Sequence, residues 1–581
     1  MASAAITPNA SPTGADERGP AWLEALVARG GLALFAAALF VFLTVPLAAI
    51  LIRSLQDRAG EFAGLANFST YFQSPALAAS LTNTALFAFL TTIATVPLAF
   101  AFAYAIQRSC IPARALWRNI ALIPILAPSL LAALSFLYLF GNQGWLNFML
   151  PWFGLAEIYG LPGMVLSMTF ASFPHALMIL LAALALADGR LYEAADSLGT
   201  SRARRFWTVT LPGAKYGLLS ATLVVFTMAV SEFGVPKIIG GNTSVLALDI
   251  YKQVVGQQNF SIGAVVSLLL LLPAVLAFLI DRRVQRRQQA LIGARSVPYV
   301  ARPEWRRDAL CLVFVVLMSA AMLAVVGMAV FGSLVQFWPY NLALTLRHYI
   351  YGFAEAGIDN AYYNSLELGA SCAVVGAILT FSGAYWIEKT RREMTRGVNL
   401  LRGLIQFQAM LPMAVPGMVL GIGYILFFNA PGNPLNVLYG TMTVLVTSTV
   451  MHFYSASHLT AVTALKQLDT EFESVSASLK VPFYRTFWRV TVPVCLPAVI
   501  DISRYYFVNA MTTISCVVFL YSPHTQVASV SILQLDEAGA LGSAAAMASL
   551  IVGTSAVVTV LFYGVERWLL RRTQAWRRRE G

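Results

Sequence analysis

The stretch from Asp188 to Pro212, DGRLYEAADSLGTSRARRFWTVTLP, is a polar segment between two long apolar runs. A second stretch, Asp469 to Pro493 (DTEFESVSASLKVPFYRTFWRVTVP), aligns with it without a gap, at a constant offset of 281 in the numbering. Nine of the aligned pairs are identical, including the Phe-Trp pairs at 206–207 and 487–488. Shared hydrophobicity does not explain a polar repeat of this length, so we predict a duplicated functional element. We call the two stretches the first loop and the second loop.

The composition of the chain predicts a membrane protein. Of its 581 residues, 58% are hydrophobic and only 11% are charged, and the mean hydropathy is +0.70, which is far too apolar for a soluble globular protein. The formal net charge of +12 would suit a nucleic-acid partner if the Lys and Arg were gathered on one domain. They are distributed among alternate loops instead, so we predict a role in membrane topology and no nucleic-acid partner.

The sequence indicates no catalytic residue, no metal site and no bound cofactor. The five cysteines have neither metal-site nor redox-motif spacing, and His175, His452 and His458 are not at ligand spacing. No stretch fits the phosphate-binding pattern G-x-x-x-x-G-K-[ST]. We therefore expect that the chain is not an enzyme and that any ATP hydrolysis takes place on a separate subunit.

Long apolar runs predict an all-α polytopic membrane protein. Roughly 20 apolar residues cross the hydrocarbon core as a helix, and only helices or closed barrels satisfy the backbone there. Asn83 and Asn364 are related by the same offset as the loops, which extends the repeat beyond them and predicts two homologous halves of six spans each. The predicted spans are 31–52, 80–106, 119–140, 161–187, 214–236, 260–280, 309–332, 361–387, 403–428, 437–464, 494–519 and 542–566.

Loop charge predicts the orientation, because Lys and Arg are retained on the cytoplasmic side. The loops at 141–160, 429–436 and 520–540 contain no Lys or Arg, whereas the loops that alternate with them are basic. Both termini and both repeated loops are therefore expected to face the cytoplasm. Since the halves then share one orientation, we predict a parallel repeat with its pseudo-two-fold axis along the membrane normal.

These assignments divide the chain into a cytoplasmic segment (1–30), a first half (31–280), a basic linker (281–308), a second half (309–566) and a basic tail (567–581). The arginines of the linker and the tail are explained most simply by topology. Binding of anionic lipid headgroups is the alternative.

The first loop resembles the EAA loop of the inner-membrane permease subunits of ABC importers. The resemblance is carried by Glu193-Ala194-Ala195, by Gly199 and by Leu211-Pro212. It implies a short helix parallel to the membrane that docks into a groove of a cytoplasmic ATPase, with two copies of one ATPase serving the two loops of this chain. It also implies a periplasmic binding protein as the second partner and the bacterial inner membrane as the location.

The second loop departs from this pattern. Ser474-Val475-Ser476 stands where the first loop has Glu-Ala-Ala, Glu473 lies one residue early, and Lys480 stands where the first loop has its glycine. Because Lys adopts a left-handed conformation less readily than Gly, we expect the two loops to dock asymmetrically. The expected docking residues are Asp188, Glu193, Ala194, Ala195, Gly199, Pro212, Asp469, Glu473, Ser474, Lys480 and Pro493.

The residue chemistry of the first loop agrees with a docking helix. Glu193 lies near the positive end of the helix dipole, and Gly199 suits a helix end that needs a positive φ. Pro212 and Pro493 are expected to stop regular structure where the next span begins. The alternative is an ordinary amphipathic helix at the membrane surface.

Few charged residues lie within the predicted spans, and each is a candidate for the pathway. Asp501 and Arg504 are three residues apart on one helical face and can pair; alternatively, Arg504 meets an anionic group of the cargo. Glu232, near the outer end of the fifth span, contacts either cargo or external water, and we expect water.

Two prolines four residues apart recur in the third span of each half, at Pro124 and Pro128 and at Pro412 and Pro416. Proline interrupts the hydrogen bonds of a helix, which membranes tolerate where neighbouring groups satisfy the backbone. The motif predicts either a hinge for the transport movement or a fixed kink required by packing.

The layout of two fused halves resembles the ferric-iron, thiosulfate and phosphonate branches of the importer family. The second half, particularly residues 428–436 and 467–480, is most similar to 2-aminoethylphosphonate permeases, so the expected cargo is an organophosphonate, with ferric iron or a thiosulfate-type anion as the alternative. A more distant alternative is an ion-coupled secondary transporter. Such a carrier would need no repeated cytoplasmic loop and normally has ionisable residues at mid-membrane.

Overall fold

A computed structural model describes most of the chain. The described residues are 21–186, 188–291, 297, 299–355, 360–389, 396–468, 471–479, 481 and 483–573. Two expected docking residues, Asp469 and Lys480, lie outside these ranges, as do residues 1–20 and 574–581. The side chain of Glu473 is also outside the description.

The first half, with the helices that lead into it, is entirely helical in its regular structure. Its helices are α1 (Ala21–Leu39), α2 (Val45–Ser54), α3 (Ala66–Gln73), α4 (Pro75–Arg108), α5 (Arg114–Ala121), α6 (Ser129–Phe140), α7 (Leu161–Ala185), α8 (Gly189–Ser197), α9 (Arg202–Arg205), α10 (Leu211–Ser231), α11 (Gly234–Ile239), α12 (Leu246–Tyr251) and α13 (Phe260–Leu291).

The second half adds a small antiparallel hairpin, β1 (Val335–Phe337) and β2 (Asn341–Leu344), which the sequence did not indicate. Its helices are α14 (Trp305–Leu334), α15 (Arg347–Ile350), α16 (Gly352–Glu355), α17 (Ala361–Lys389), α18 (Arg396–Met410), α19 (Gly417–Phe428), α20 (Met442–His452), α21 (Tyr454–Lys466), α22 (Glu471–Ser478), α23 (Phe483–Thr486), α24 (Val492–Thr512), α25 (Ala528–Glu537) and α26 (Leu541–Thr573).

The repeat seen in the sequence is also a repeat of structure. Helices α10 and α24 begin and end at positions related by the offset of the sequence repeat, and α13 and α26 begin at such positions. The repeated asparagines make equivalent bonds: Asn83 Nδ2 donates to the carbonyl of Ser244 (3.0 Å), and Asn364 Nδ2 donates to the carbonyls of His524 and Gln526 (3.0 and 2.8 Å). Each asparagine therefore fixes the segment before the short helix α12 or α25.

Among the described residues, nine helices are long and apolar enough to cross a membrane, and up to eleven if two bent helix pairs each count as one span. The predicted fold class, an all-α polytopic membrane protein in two halves, is confirmed. The remaining predicted span, 437–464, is divided at Phe453 into α20 and α21, whereas its counterpart α7 is continuous.

The predicted third spans are not straight crossings. Arg114–Leu126 and Ser129–Phe140 are bent by 100° relative to each other, and Gly397–Ala414 and Gly417–Phe428 by 115°. In both halves the break includes the residue before the second proline, Ala127 or Val415, which is extended. A residue before proline is disfavoured in the α conformation, so the proline motif breaks the helix in two.

The opening helices of the two halves each pack against both halves. Helices α1 and α2 contact α17, α18 and α19 of the second half, and α2 also contacts α13; α14 contacts α4, α5 and α6 of the first half and also α26 of its own. Two polar bonds from the turn between α1 and α2 support the contact across the halves: Tyr424 donates its hydroxyl to the carbonyl of Phe42 (2.6 Å), and Gln408 Nε2 donates to Thr44 Oγ1 (3.1 Å). The exchange of the opening helices therefore joins the two halves.

Candidate functional site

The first loop folds into a short capped helix. Asp188 Oδ1 accepts a hydrogen bond from the backbone N–H of Arg190 (3.1 Å), which satisfies one of the free donors at the start of α8. Helix α8 ends before Gly199, which has φ +64°. The positive φ predicted at this glycine is confirmed. Ser201 then caps α9 by accepting from the N–H of Arg204 (3.3 Å).

The second loop repeats this arrangement. Helix α22 occupies the place of α8, and α23 (Phe483–Thr486) takes the place of α9 (Arg202–Arg205) at the offset of the repeat. Even a small side-chain contact recurs: Ser197 Oγ donates to the carbonyl of Glu193, and Ser478 Oγ donates to that of Ser474, both at 2.9 Å. The loss of Glu-Ala-Ala therefore leaves the helix of the second loop in place.

Pro212 and Pro493 do not stop regular structure, which corrects the expectation. A π-helical turn precedes each one, Phe206–Thr210 in the first loop and Phe487–Thr491 in the second, and the helix then continues into α10 or α24. Proline lacks a donor and collides with the carbonyl four residues earlier. A π turn uses a wider spacing between donor and acceptor, so the chain accommodates the proline without ending the helix.

The outward face of each loop carries apolar side chains at matching positions. Leu191 and Leu198 of α8 and its C-terminal turn are exposed, as are their counterparts Phe472 and Leu479. Ala194 and Val475 are exposed between them. The spacing i, i+3, i+7 places the three positions on one side of a helix. Leu191 and Leu198 were not predicted from the sequence, although Leu198 and Leu479 are an identical pair of the repeat.

The other predicted docking residues lie on different sides of the loop helices. Glu193 is exposed, whereas Ala195 is buried against the rest of the protein. Ser474 is exposed on α22. Pro212 and Pro493 lie in the first turns of α10 and α24.

A cluster of three aromatic rings joins each loop to the second span of its half. In the first half, the ring of Phe206 lies 6.1 Å from that of Phe100 and 6.0 Å from that of Tyr104. In the second half, the rings of Phe381 and Tyr385 lie 6.1 and 4.5 Å from the ring of the equivalent phenylalanine. All three positions are identical at the offset of the repeat, so the cluster has a signal in the sequence.

The first loop is also held by the linker between the halves. The backbone N–H of Gly189 donates to the carbonyl of Val297 (2.8 Å), and the rings of Tyr192 and Tyr299 lie 4.4 Å apart. The guanidinium of Arg108 lies over both tyrosine rings, at 5.1 and 4.6 Å from their centroids. The buried hydroxyl of Tyr192 donates to Thr210 Oγ1 (3.0 Å), which ties α8 to the π turn.

The charged residues considered for the pathway have partners within the protein. Arg504 Nη2 donates to Asp501 Oδ1 (2.8 Å), so the pairing predicted from their spacing is confirmed. Glu232 Oε1 accepts from Ser129 Oγ (2.7 Å) and from the backbone N–H of Val235 (3.1 Å). Its carboxylate joins α6, α10 and α11, and the residue is half-buried, so its contact with external water stays a prediction.

Two tandem helical halves, each with a surface loop joined to its long apolar helices, define a multi-pass membrane protein. The chain matches the profile of the family "Binding-protein-dependent transport system inner membrane component" twice, over residues 95–290 and 394–574. These matches cover more than half of the chain, and the chain belongs to this family. By the description of this family, it is an inner-membrane component of a binding-protein-dependent transport system.

Three relatives illustrate the range of similarity. The chain is 28% identical over 455 residues to the ferric transport system permease protein FbpB of Actinobacillus pleuropneumoniae, a match of 76% of this chain and 64% of that protein. It is 24% identical to the Fe(3+)-transport system permease protein FbpB 2 of Haemophilus influenzae, over 96% and 99% of the two chains. A sulfate transport system permease protein CysW from Synechocystis matches 31% of this chain at 28% identity.

Proposed function

We propose that this chain alone supplies both halves of the translocation pathway of an ATP-driven importer, and that its two loops are the docking elements for two copies of one cytoplasmic ATPase. One observation carries the proposal: both loops have solvent-exposed apolar side chains at matching positions. Leu198 and Leu479 are 80% and 70% exposed. Exposed apolar side chains at matching positions favour a partner that covers both loops.

The aromatic clusters give the loops a route to the membrane helices. When ATP binding closes the ATPase dimer, a docked loop moves with its ATPase subunit. Phe206 and Phe487 transmit that movement to α4 and α17, which cross the membrane. The π turns are continuous with α10 and α24, so each loop also moves the fifth span of its half. The two halves then rock about the path between them.

The two docking elements are not equivalent in this proposal. The first loop is fixed by the hydrogen bond from Gly189 to Val297 and by the contact between the rings of Tyr192 and Tyr299. Its counterpart at the position of Tyr192 is Glu473, an acidic residue that cannot repeat the aromatic contact. The second loop therefore lacks this tyrosine pair, and its response to the ATPase is expected to differ.

The orientation follows from the same docking role. Both loops and both termini face the cytoplasm in this proposal, and the segments at 141–160, 237–258, 334–360, 429–436 and 520–540 face outward. A periplasmic binding protein delivers the solute to these outer segments. The family description, which names a binding protein, supports this partner.

The cargo that the relatives favour is ferric iron. Ferric permeases match 76% and 96% of the chain, and the second of them is itself matched over 99% of its length. An organophosphonate, the cargo expected from sequence resemblance, is the second candidate. Arg504 pairs with Asp501 and is therefore less available to an anionic cargo.

An uptake experiment in cells tests the proposal. A strain that lacks this permease is complemented with the wild-type chain, and the uptake of radioactive ferric iron and of radioactive 2-aminoethylphosphonate is measured. We expect iron uptake that depends on ATP and on the cognate ATPase and that survives collapse of the proton gradient. Uptake of the phosphonate alone would identify the phosphonate, not ferric iron, as the cargo. Uptake that stops when the proton gradient collapses would identify the protein as an ion-coupled transporter.

A further inference from the structure

A cavity of about 440 Å³ lies between the first loop and the linker. Its volume falls within the range of small-molecule sites, roughly 300–1,000 Å³. Tyr192 and Arg205 line it from the first loop, Tyr104 and Arg108 from the end of α4, and Tyr299 from the linker. The start of α14 closes the opposite side.

The cavity is strongly basic. Five arginines line it, together with a single carboxylate, Glu304; the arginines are Arg108, Arg202, Arg205, Arg306 and Arg307. Three of them have an acidic partner: Arg202 pairs with Glu304, Arg205 with Asp196, and Arg307 with Asp308. Arg108 and Arg306 have no carboxylate partner among the described residues. Because arginine keeps its charge, the cavity holds about two uncompensated positive charges.

Arg108 supplies a second observation that points to a ligand. The residue is only 3% exposed, and its Nε–H has no hydrogen-bond partner among the described residues. Its Nη2 donates to the carbonyl of Leu184 (2.7 Å), which holds the guanidinium at the wall of the cavity. A buried donor of this kind normally has a partner, and a phosphate or carboxylate oxygen in the cavity would provide one.

An apolar groove of about 300 Å³ adjoins the basic cavity. The two spaces share Tyr104, Phe206, Leu310 and Cys311 as walls. The groove continues between α4 and α14 along Phe100, Ala101 and Phe314. Both helices are among the candidate membrane spans, so the groove extends from the level of the loop into the apolar part of the molecule.

We propose that the cavity and the groove together form a binding site for one anionic phospholipid, with the phosphate in the basic cavity and an acyl chain in the groove. Basic pockets between membrane helices on the cytoplasmic side suit anionic headgroups. A free phosphate would use the cavity alone, whereas a lipid uses both spaces. Trp305, which is exposed at the start of α14 next to Arg306, is the kind of residue found at the level of lipid headgroups.

The lipid would form part of the support of the first loop. Tyr192 and Phe206 belong to that loop, and both line the cavity. A phosphate bound to Arg108 would connect the end of α4, the loop and the linker in one network. The placement of the site in the cytoplasmic leaflet rests on the proposed function, but binding itself does not require the ATPase.

Native mass spectrometry of the purified full-length permease tests the proposal without the ATPase. Detergent-solubilised protein is titrated with phosphatidylglycerol, with phosphatidylcholine and with phosphatidylglycerol in the presence of inorganic phosphate. We expect one phosphatidylglycerol to be retained per chain in preference to phosphatidylcholine. Arg306→Gln should weaken its retention about fivefold, because one arginine near a lipid headgroup contributes about 1 kcal/mol. Arg306 is exposed and has no acidic partner among the described residues. Its replacement therefore leaves no carboxylate unpaired, and the variant should fold normally.

A second variant tests the groove, and two matched substitutions serve as controls. Ala101→Trp fills the groove and should also reduce retention, whereas Ala85→Trp places the same ring at another exposed position of α4. Arg204→Gln removes an exposed arginine of α9 that does not line the cavity. Retention that is equal in Arg306→Gln, Ala101→Trp and both controls would overturn the lipid site. Displacement of the lipid by inorganic phosphate, with no effect of Ala101→Trp, would show a free-phosphate site instead. Failure of ATPase docking with lipid retention intact would overturn the proposed function alone.

Discussion

Truncating one exposed leucine in each loop is the sharpest test of the docking surface. Leu198→Ala removes three carbon atoms from a side chain that is 80% exposed in the free permease. Burial contributes about 0.8 kcal/mol per carbon group. If a partner covers Leu198 completely, the truncation weakens its binding free energy by about 2 kcal/mol, which lowers the affinity ~25-fold. The same reasoning for Leu479, which is 70% exposed, gives a loss of roughly 15-fold.

The assay measures the dissociation constant of the cognate ATPase for the permease in nanodiscs, with each leucine replaced singly and with both replaced. Two separate docking elements predict that the losses multiply, to about 400-fold in the double variant. Leu344→Ala, at a position that is also 70% exposed but lies on β2, is the control and should leave the affinity unchanged. Because all three side chains are exposed, the midpoint of thermal unfolding should not move.

Unchanged affinity in the double variant would refute the reasoning, since the matched apolar positions are its main support. A loss in Leu198→Ala without one in Leu479→Ala would limit docking to the first loop. In that case the second loop would be a structural remnant of the duplication.

Three further predictions concern the loops and the contact between the halves. Gly199→Ala should increase hydrogen exchange in α8 by roughly 5- to 30-fold, because a left-handed backbone costs a residue with a Cβ about 1–2 kcal/mol. Gly199→Asn should have a smaller effect. Equal exchange rates in the wild type and both variants would show that position 199 requires no glycine. Phe487→Ala loses the ring contacts to Phe381 and Tyr385 of α17, worth about 0.5–1.5 kcal/mol each. It should leave ATPase binding intact while reducing the transport per ATP hydrolysed, whereas unchanged coupling would exclude the aromatic cluster as the route. Burial raises the pKa of Asp536 to about 6, against the opposing effect of Lys237 and with a further rise from Glu537, so the charged carboxylate is disfavoured in the folded protein. Stability from this residue is therefore greatest below about pH 4, near the unfolded pKa, and is lost as the pH rises towards about 6. The thermal midpoint of Asp536→Asn should rise relative to that of the wild type as the pH increases across that interval. If the two thermal midpoints change with pH in parallel, the raised pKa of Asp536 is contradicted.

The regular periodicities of the sequence predicted most of the fold. The halves, the constant offset between them and the class of the protein were readable because hydrophobic runs and a polar repeat are local signals. The helix breaks at Ala127 and Val415 could not be predicted from the sequence. The pair of prolines in each third span is equally compatible with a gentle kink, when neighbouring groups satisfy the backbone. The exchange of α1 and α14 between the halves depends on contacts far apart in sequence, which no local pattern records.

The candidate site was predicted in part. Gly199 was assigned correctly because a positive φ at a helix end leaves a residue-level signature. Ala195 is an expected docking residue but is buried, because a three-residue motif does not reveal the rotation of its helix. Tyr192 was passed over, and its role depends on Arg108 and Tyr299, which come from other segments.

The contacts of Tyr192 suggest why the two loops diverged after duplication. In the first half, the ring of Tyr192 packs on the linker that leads to the second half, and Arg108 covers both tyrosines. A linker of this kind exists only once in a fused chain, so selection for that contact acts on the first loop alone. The same position is Glu473 in the second loop, and a fused chain has no second linker to select for a tyrosine there. The apolar docking positions and the aromatic clusters remain paired because each loop has its own ATPase subunit and its own membrane helices to contact.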